Sequence, residues 1–224
     1  MTNKRLIEFM KSELAARSDA DYSVKMAAYM KGHFVFAGVR GPQKQEVLKL
    51  LKAECQNWTI DQLIAVSRDG WLDEWREVQQ LCIDLLKWRR LRLTAQHLPH
   101  LEYMITHKSW WDSVDMIASN LIGTVLGHSK DLQYSTCERW IASENMWLRR
   151  SAIIHQLKYK EDTDHELLFA LVESQKGSTE FFINKACGWA LRQYAKTAPV
   201  HVATFVSEHP DLSPLTIREA RKSL

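Results

Sequence analysis

Aromatic and charged side chains share one face of three helical segments in this 224-residue sequence. Trp111 precedes Asp115 by four residues, a second tryptophan precedes Arg150 by three, and Lys185 precedes Trp189 by four. Residues three or four apart lie on the same side of a helix. A face used only for packing would repeat small and apolar residues, whereas this one changes in charge and size. The pattern is typical of a surface that binds a ligand.

Each of these side chains also has a structural interpretation. Asp115 lies beyond the first turn of its helix, so it is either paired with a basic residue or presented into a groove, and the sequence favours neither. Asp112 follows Ser109 in an S-x-x-D pattern, which predicts a helix cap. Trp189 taken alone is best explained as a core residue. Gly188 costs a helix about 1 kcal/mol relative to alanine, which indicates close approach of another backbone or a ligand.

Helical periodicity dominates the rest of the chain. Thr59 and Gln62 have the spacing of a capping box, and Ser213-Pro214 is a typical helix start. Only 8 glycines and 5 prolines are present, too few for the many turns of an all-β fold. The sequence therefore predicts an all-α protein of about a dozen helices.

Four similar helix starts recur at nearly constant spacing. Trp75, Trp111, Trp147 and Phe182 are separated by 36, 36 and 35 residues. A recurring aromatic residue at this period is typical of stacked helix pairs, as in HEAT, armadillo or tetratricopeptide arrays. We predict a single α-solenoid domain over 1–224 with a concave surface, in which 1–70 form atypical capping helices and 71–224 form the clearer repeats.

Composition narrows the class of protein. The net charge of +3 excludes a wholly acidic surface and does not by itself indicate a nucleic-acid partner. No apolar run approaches the roughly 20 residues of a membrane span. The four cysteines lack the spacing of a metal site, so we expect reduced, buried thiols in a cytoplasmic protein: Cys55, Cys82, Cys137 and Cys187. Basic residues cluster without acidic ones over 145–160. Together with the helix face that carries aromatic and charged residues, this cluster favours a nucleic-acid partner.

Several stretches resemble the AlkD family of bacterial alkylpurine DNA glycosylases, which are built from HEAT-like repeats. The resemblance is carried by KSWWDSVD at 108–115, WIASENMWLRR at 140–150, QLKYK at 156–160 and GWALR at 188–192, together with AYMKGHF at 28–34. These matches run in order through nearly the whole chain. One departure is Arg40-Gly41, where the family pattern has a Gln-Thr-like pair beside the DNA.

The resemblance implies a role for individual residues. Asp115, Trp111 and Trp189 would face the nucleotide whose glycosidic bond is broken. Contacts with DNA would be made by Tyr29, Arg150, Lys158, Lys185 and Arg192. No metal or cofactor is implied, and the partner is double-stranded DNA carrying alkylated bases. We expect a monomer that acts in the bacterial cytoplasm, at the nucleoid, and has no membrane association.

The implied reaction is hydrolysis of the N-glycosidic bond of N3- or N7-alkylated purines, without flipping the base out of the duplex. Such a purine is already cationic and leaves without a general acid, so one carboxylate suffices where ordinary glycosidases need two. The alternative is a non-catalytic HEAT-like module that binds DNA or protein, since a fold does not determine a function. The trio of Asp115, Trp111 and Trp189 favours the enzyme.

Overall fold

Helices account for the ordered structure of the chain in the computed structural model, which describes residues 2–224. No strand occurs among these residues, and an isolated bridge joins Val35 to Trp75. The helices are α1 (Asn3–Ala15), α2 (Ala20–Tyr29), α3 (Gly41–Glu54), α4 (Ile60–Trp71), α5 (Arg76–Trp88), α6 (Leu98–Thr106), α7 (Trp111–Ile117), α8 (Gly123–Leu126), α9 (Lys130–Ile141), α10 (Met146–Ile154), α11 (His165–Glu173), α12 (Phe181–Ala195), α13 (Pro199–Glu208) and α14 (Pro214–Ala220). The predicted all-helical fold is confirmed.

Helices α1 to α5 form a first compact unit that ends at Leu93. Leu6, Met10 and Leu14 of α1 recur every four residues and are fully buried, as expected for the apolar face of an amphipathic helix. The predicted capping box is present at the start of α4, where Thr59 and Gln62 exchange hydrogen bonds with each other's backbone N–H.

A buried carboxylate organises the loop between α2 and α3 in this first unit. Glu77 of α5 accepts hydrogen bonds from the backbone N–H groups of Ala37, Gly38 and Val39 at 3.0, 2.9 and 3.2 Å. Its side chain is completely shielded from solvent. The loop therefore obtains its hydrogen-bond partners from a side chain rather than from a neighbouring strand.

The second unit runs from Thr94 to Leu224 and contains α6 to α14. Helix α10 packs on α9 and α12, and α12 packs in turn on α14. The apolar core between them includes Ile153, Ile154, Ile183 and Leu191. Helix α14 begins as predicted, with the Ser213 hydroxyl accepting from the backbone N–H of Thr216. Helices α10 and α12 therefore lie at the centre of this unit, and the helices packed on them are held in fixed positions.

Helix α7 does not end where its α-helical hydrogen bonds end. It continues through a π-helical turn, Ala118–Ile122, into α8. Within this turn the Asn120 side-chain amide donates to the carbonyl oxygen of Met116 at 2.9 Å. Single π-helical turns inside α-helices occur frequently at functional sites.

The predicted cap of α7 is wrong. The N-cap residue is Trp110, which makes no side-chain capping hydrogen bond. The Ser109 hydroxyl instead donates to the carbonyl oxygen of Ile105 at 2.6 Å, at the end of the preceding helix. Asp112 lies in the first turn as expected. The four cysteines are free and buried, as predicted.

Candidate functional site

Helix α7 carries Trp111 as its first residue and Asp115 one turn later. Val114 and Ile117 of the same helix are fully buried and hold it against the core of the second unit. Trp111 is half-buried, and 15% of the Asp115 side chain is exposed to solvent. That exposure decides the chemistry open to Asp115, because a ligand can reach a carboxylate that is largely but not completely enclosed.

Asp115 forms a two-pronged ion pair with Arg150 of α10. The Nε and Nη2 atoms of Arg150 donate to Oδ1 and Oδ2 of Asp115 at 2.7 and 2.8 Å. The third hydrogen bond of the guanidinium, from Nη1, goes to the carbonyl oxygen of Phe182 in the first turn of α12 at 2.5 Å. Arg150 therefore links α7 to α12, and Asp115 is paired with a basic residue, which was one of the two alternatives left open by the sequence.

Burial dominates the electrostatics of this carboxylate. Loss of solvent raises the pKa of Asp115 above the ordinary value of an aspartate, and the negative charge of Asp112 acts in the same direction. The hydrogen bonds and charge of Arg150 lower the pKa and oppose this shift. Arg150 is consequently the group on which the ionised form of Asp115 depends most.

Trp110, at the N-cap of α7, packs with the aromatic residues at the next two helix starts of the predicted repeat, Trp147 and Phe182. The ring of Trp110 lies 5.8 Å from that of Trp147 and 5.3 Å from that of Phe182, measured between centroids. The rings of Trp147 and Phe182 are 5.1 Å apart. The spacing counted from Trp111 was thus one residue out of register with this packing.

Helix α12 carries Lys185, Trp189 and Arg192 along one stripe. Trp189 is half-buried and packs at the border of the core, so its predicted core contact holds for part of the ring. Gly188 explains the close approach that the sequence indicated. A Cβ at this position would lie 2.5 Å from Cβ of Glu219 and 2.8 Å from the carbonyl oxygen of Thr216, both in α14.

Lys185 and Arg192, the two predicted DNA contacts on α12, both bind the carboxylate of Glu219. Lys185 donates to Oε1 of Glu219 at 2.7 Å, and Arg192 donates to Oε2 at 3.0 Å. Lys222, just beyond α14, donates to Oε1 at 2.6 Å. The hydrogen bonds and charges of Lys185 and Lys222, with that of Lys185 first, lower the pKa of Glu219 to about 2. Sequence reasoning did not find Glu219 or Lys222, because no local motif marks them.

The remaining predicted DNA contacts lie outside this group. Lys158 hydrogen-bonds to the side-chain oxygen of Asn120, in the π-helical turn that follows α7. Tyr29 ends α2 in the first unit and exposes 68% of its surface. Within the second unit, the structure therefore joins Asp115 directly to Arg150, and Lys185 to Arg192 through one carboxylate.

Neither a metal-binding cluster nor a membrane-spanning helix is found in residues 2–224. No group of three or more His, Cys, Asp or Glu side chains in this range is arranged to hold a metal ion. No helix in it combines the length and the apolar character needed to cross a membrane.

Comparison with known proteins assigns the chain to a family. The family model described as DNA alkylation repair enzyme matches residues 10–224. A solved structure from Enterococcus faecalis, described as a predicted DNA alkylation repair enzyme, is similar with a TM-score of 0.85 and 34% sequence identity, over 93% of this chain and 97% of that one. No curated protein sequence matches significantly. The chain belongs to the DNA alkylation repair enzyme family.

Proposed function

We propose that this protein is a monofunctional, metal-independent DNA glycosylase that hydrolyses the N-glycosidic bond of N3- and N7-alkylated purines in duplex DNA. The observation that carries the proposal is the partly exposed carboxylate of Asp115, which Arg150 holds in a low-solvent position one turn from Trp111. Membership of a DNA alkylation repair family supports a substrate of this class.

The leaving group determines what the site has to supply. Alkylation at N3 or N7 places a positive charge on the purine, which weakens its bond to the sugar and removes the need for a general acid. Bond cleavage then leaves positive charge on the sugar, as in glycoside hydrolysis. A fixed negative charge with restricted access to water stabilises that developing charge most effectively. One carboxylate therefore meets the main requirement.

Asp115 has the capacity for this role while it remains paired. An ionised carboxylate offers about four acceptor positions, and the two hydrogen bonds from Arg150 occupy two of them. The others are available to a water molecule or to the sugar. We propose that Asp115 orients the attacking water and stabilises the cationic sugar. Arg150 fixes the carboxylate in the orientation that this requires.

The tryptophans contribute through their ring faces. In the proposed complex Trp111 and Trp189 border the positively charged nucleotide, and each face adds a cation–π attraction on the order of 0.5–2 kcal/mol. Lys158, Lys185, Arg192 and Tyr29 contact the DNA backbone or the lesion. Arg150 was also predicted to touch the backbone, and in the free protein at least three of its five N–H groups are engaged. In the proposed complex the lesion remains stacked in the duplex.

The proposed reaction requires a positively charged leaving base, and this requirement can be tested directly. Under single-turnover conditions, duplexes carrying 7-methylguanine or hypoxanthine, which is uncharged, are incubated with the protein, and the free base is quantified. We expect release of 7-methylguanine alone, with 2-aminopurine beside the lesion remaining quenched because no base leaves the stack. Equal release of both bases would contradict the proposed chemistry. Binding of DNA without release of either base would favour the non-catalytic module.

A further inference from the structure

The carboxylate of Glu219 is bound by three cationic side chains, which together carry more positive charge than is required to neutralise it. Its side chain is 3% exposed, and Lys185, Arg192 and Lys222 all donate to it within 3.0 Å. A single cation neutralises a carboxylate, and the other two repel each other and the first. The cluster of Glu219, Lys185, Arg192 and Lys222, here called the Glu219 cluster, therefore has a formal charge of +2, and an anion would relieve the repulsion.

The cations remain able to bind such an anion. The side chains of Lys185, Arg192 and Lys222 are 38%, 29% and 49% exposed. A lysine has three N–H donors and an arginine has five, and the bond to Glu219 uses one in each case. An incoming phosphate oxygen could therefore be bound without breaking the contacts with Glu219.

The backbone fixes where this charge lies. Because Gly188 has no side chain, α14 approaches α12 closely enough to bring Glu219 against it. Lys185 and Arg192 flank Trp189 at four residues before and three after, so they lie on the same helix face, separated by about 10 Å along the axis. Glu219 reaches both, one through each carboxylate oxygen. The cluster therefore lies along the stripe of α12 that carries Trp189.

We propose that the Glu219 cluster binds a phosphodiester group of the DNA backbone next to Trp189, with Lys222 as an additional phosphate contact and Glu219 as the positioning residue. The inference rests on the proposed function, because DNA is the ligand that supplies the phosphodiester. It goes further in naming a residue beyond α14 as part of the interface. In this proposal the acidic side chain of Glu219 takes part in binding an anion, because it positions the cations that contact the phosphodiester.

Lys222→Ala tests the phosphate contact against a matched control. Lys176→Ala removes a lysine that also pairs with a glutamate three residues earlier, Glu173. Binding of undamaged duplex DNA is measured from 50 to 300 mM salt. We expect Lys222→Ala to weaken binding severalfold and to reduce the slope of log affinity against log salt by roughly 0.5–1, as for one lost phosphate contact. Equal slopes for the two variants would overturn the proposal.

Glu219→Gln tests the positioning role by the direction of its effect. The substitution removes a negative charge, so if Glu219 only neutralises its neighbours, DNA binding becomes tighter. If Glu219 positions the cations, binding becomes weaker despite the added positive charge, and we expect this result. Thermal unfolding shows whether the variant is folded. If it is not, Lys222→Glu, at an exposed position, replaces it and is expected to abolish the contact, and unchanged binding would contradict the proposal.

Failure of this inference is distinguishable from failure of the proposed function. If wild type releases 7-methylguanine while Lys222→Ala and Lys176→Ala bind DNA alike, the cluster proposal alone is wrong. If wild type releases no base while the Lys222→Ala slope changes as expected, the site exists and the glycosylase proposal is wrong.

Discussion

Removal of Arg150 is the perturbation whose consequences the structure defines most closely. Arg150→Gln takes away two hydrogen bonds of 2.7 and 2.8 Å from a carboxylate that is 15% exposed, and the guanidinium itself is 4% exposed. At ~4 Å between charge centres and an effective dielectric constant of ~20, the lost attraction is ~4 kcal/mol. Breaking a buried pair by removing one partner costs about 3–5 kcal/mol, which agrees.

Thermal unfolding measures this loss. For a chain of this size a loss of 3–5 kcal/mol corresponds to a decrease in Tm of roughly 6–20 °C. The matched control is Arg149→Gln, because Arg149 is the adjacent residue and donates to a backbone carbonyl, that of Ser143, rather than to a carboxylate. We expect the control to change the free energy of unfolding by less than about 1 kcal/mol.

A double variant isolates the ion pair. Adding Asp115→Asn to Arg150→Gln removes the unpaired buried charge, so the double variant should be more stable than the Arg150→Gln single variant. The pH dependence gives a second readout. Without Arg150 only burial and the charge of Asp112 shift the pKa of Asp115, and both raise it. The rate of base release, plotted against pH, should therefore begin to fall at a higher pH than in wild type, and this decline is the acid limb of the profile. A Tm within 2 °C of wild type, or an unmoved acid limb, would refute the reasoning.

Substitutions of Glu77, Gly188 and Glu219 test three further contacts of the fold. Glu77→Gln should lower the free energy of unfolding by about 1–3 kcal/mol, because an amide cannot accept all three backbone N–H bonds, while the exposed Glu74→Gln should change little. Gly188→Ala should cost about 1–3 kcal/mol by overpacking, whereas Gly41→Ala, with open space around its Cβ, should be neutral or stabilising. The stability advantage of wild type over Glu219→Gln should be constant above pH 5 and shrink as the pH falls from about 4.5 towards 2, because the pKa of Glu219 is lowered in the folded state.

Denaturant unfolding at several pH values checks these predictions. Equal losses for Glu77→Gln and Glu74→Gln would show that the loop does not depend on the carboxylate. A Gly188→Ala variant as stable as Gly41→Ala would show that α14 can move away from α12. An advantage over Glu219→Gln that stays constant down to pH 2 would mean that the cations do not hold Glu219 ionised in the folded state.

The sequence predicted the helices because their signals are local. Apolar periodicity and caps such as Thr59-Gln62 depend on residues a few positions apart, and they were confirmed. The S-x-x-D cap was wrong because the Ser109 hydroxyl had a competing acceptor in the preceding helix, the carbonyl oxygen of Ile105. That competition depends on how the chain leaves α6, which a four-residue motif does not contain.

The candidate site was predictable in its residues and less so in its contacts. Asp115 and Arg150 were identified separately, and their pairing follows from tertiary packing of α7 on α10. A spacing of 35 residues, one repeat, was the signal that could have joined them. Gly188 indicated that another element lies close to α12, but a glycine in a helix does not indicate which element this is. The structure identifies it as α14. Glu219 lies 31 residues further on, beyond the reach of any pattern in α12.

The central claim is that the carboxylate of Asp115 acts on the sugar of an alkylated nucleotide. The most direct test is the single-turnover rate of 7-methylguanine release from duplex DNA, with and without a chelator, for wild type, Asp115→Asn and the neighbouring Asp112→Asn. We predict chelator-insensitive release that falls about 10²–10³-fold in Asp115→Asn and little in Asp112→Asn. Release by a folded Asp115→Asn variant at the wild-type rate would contradict the claim.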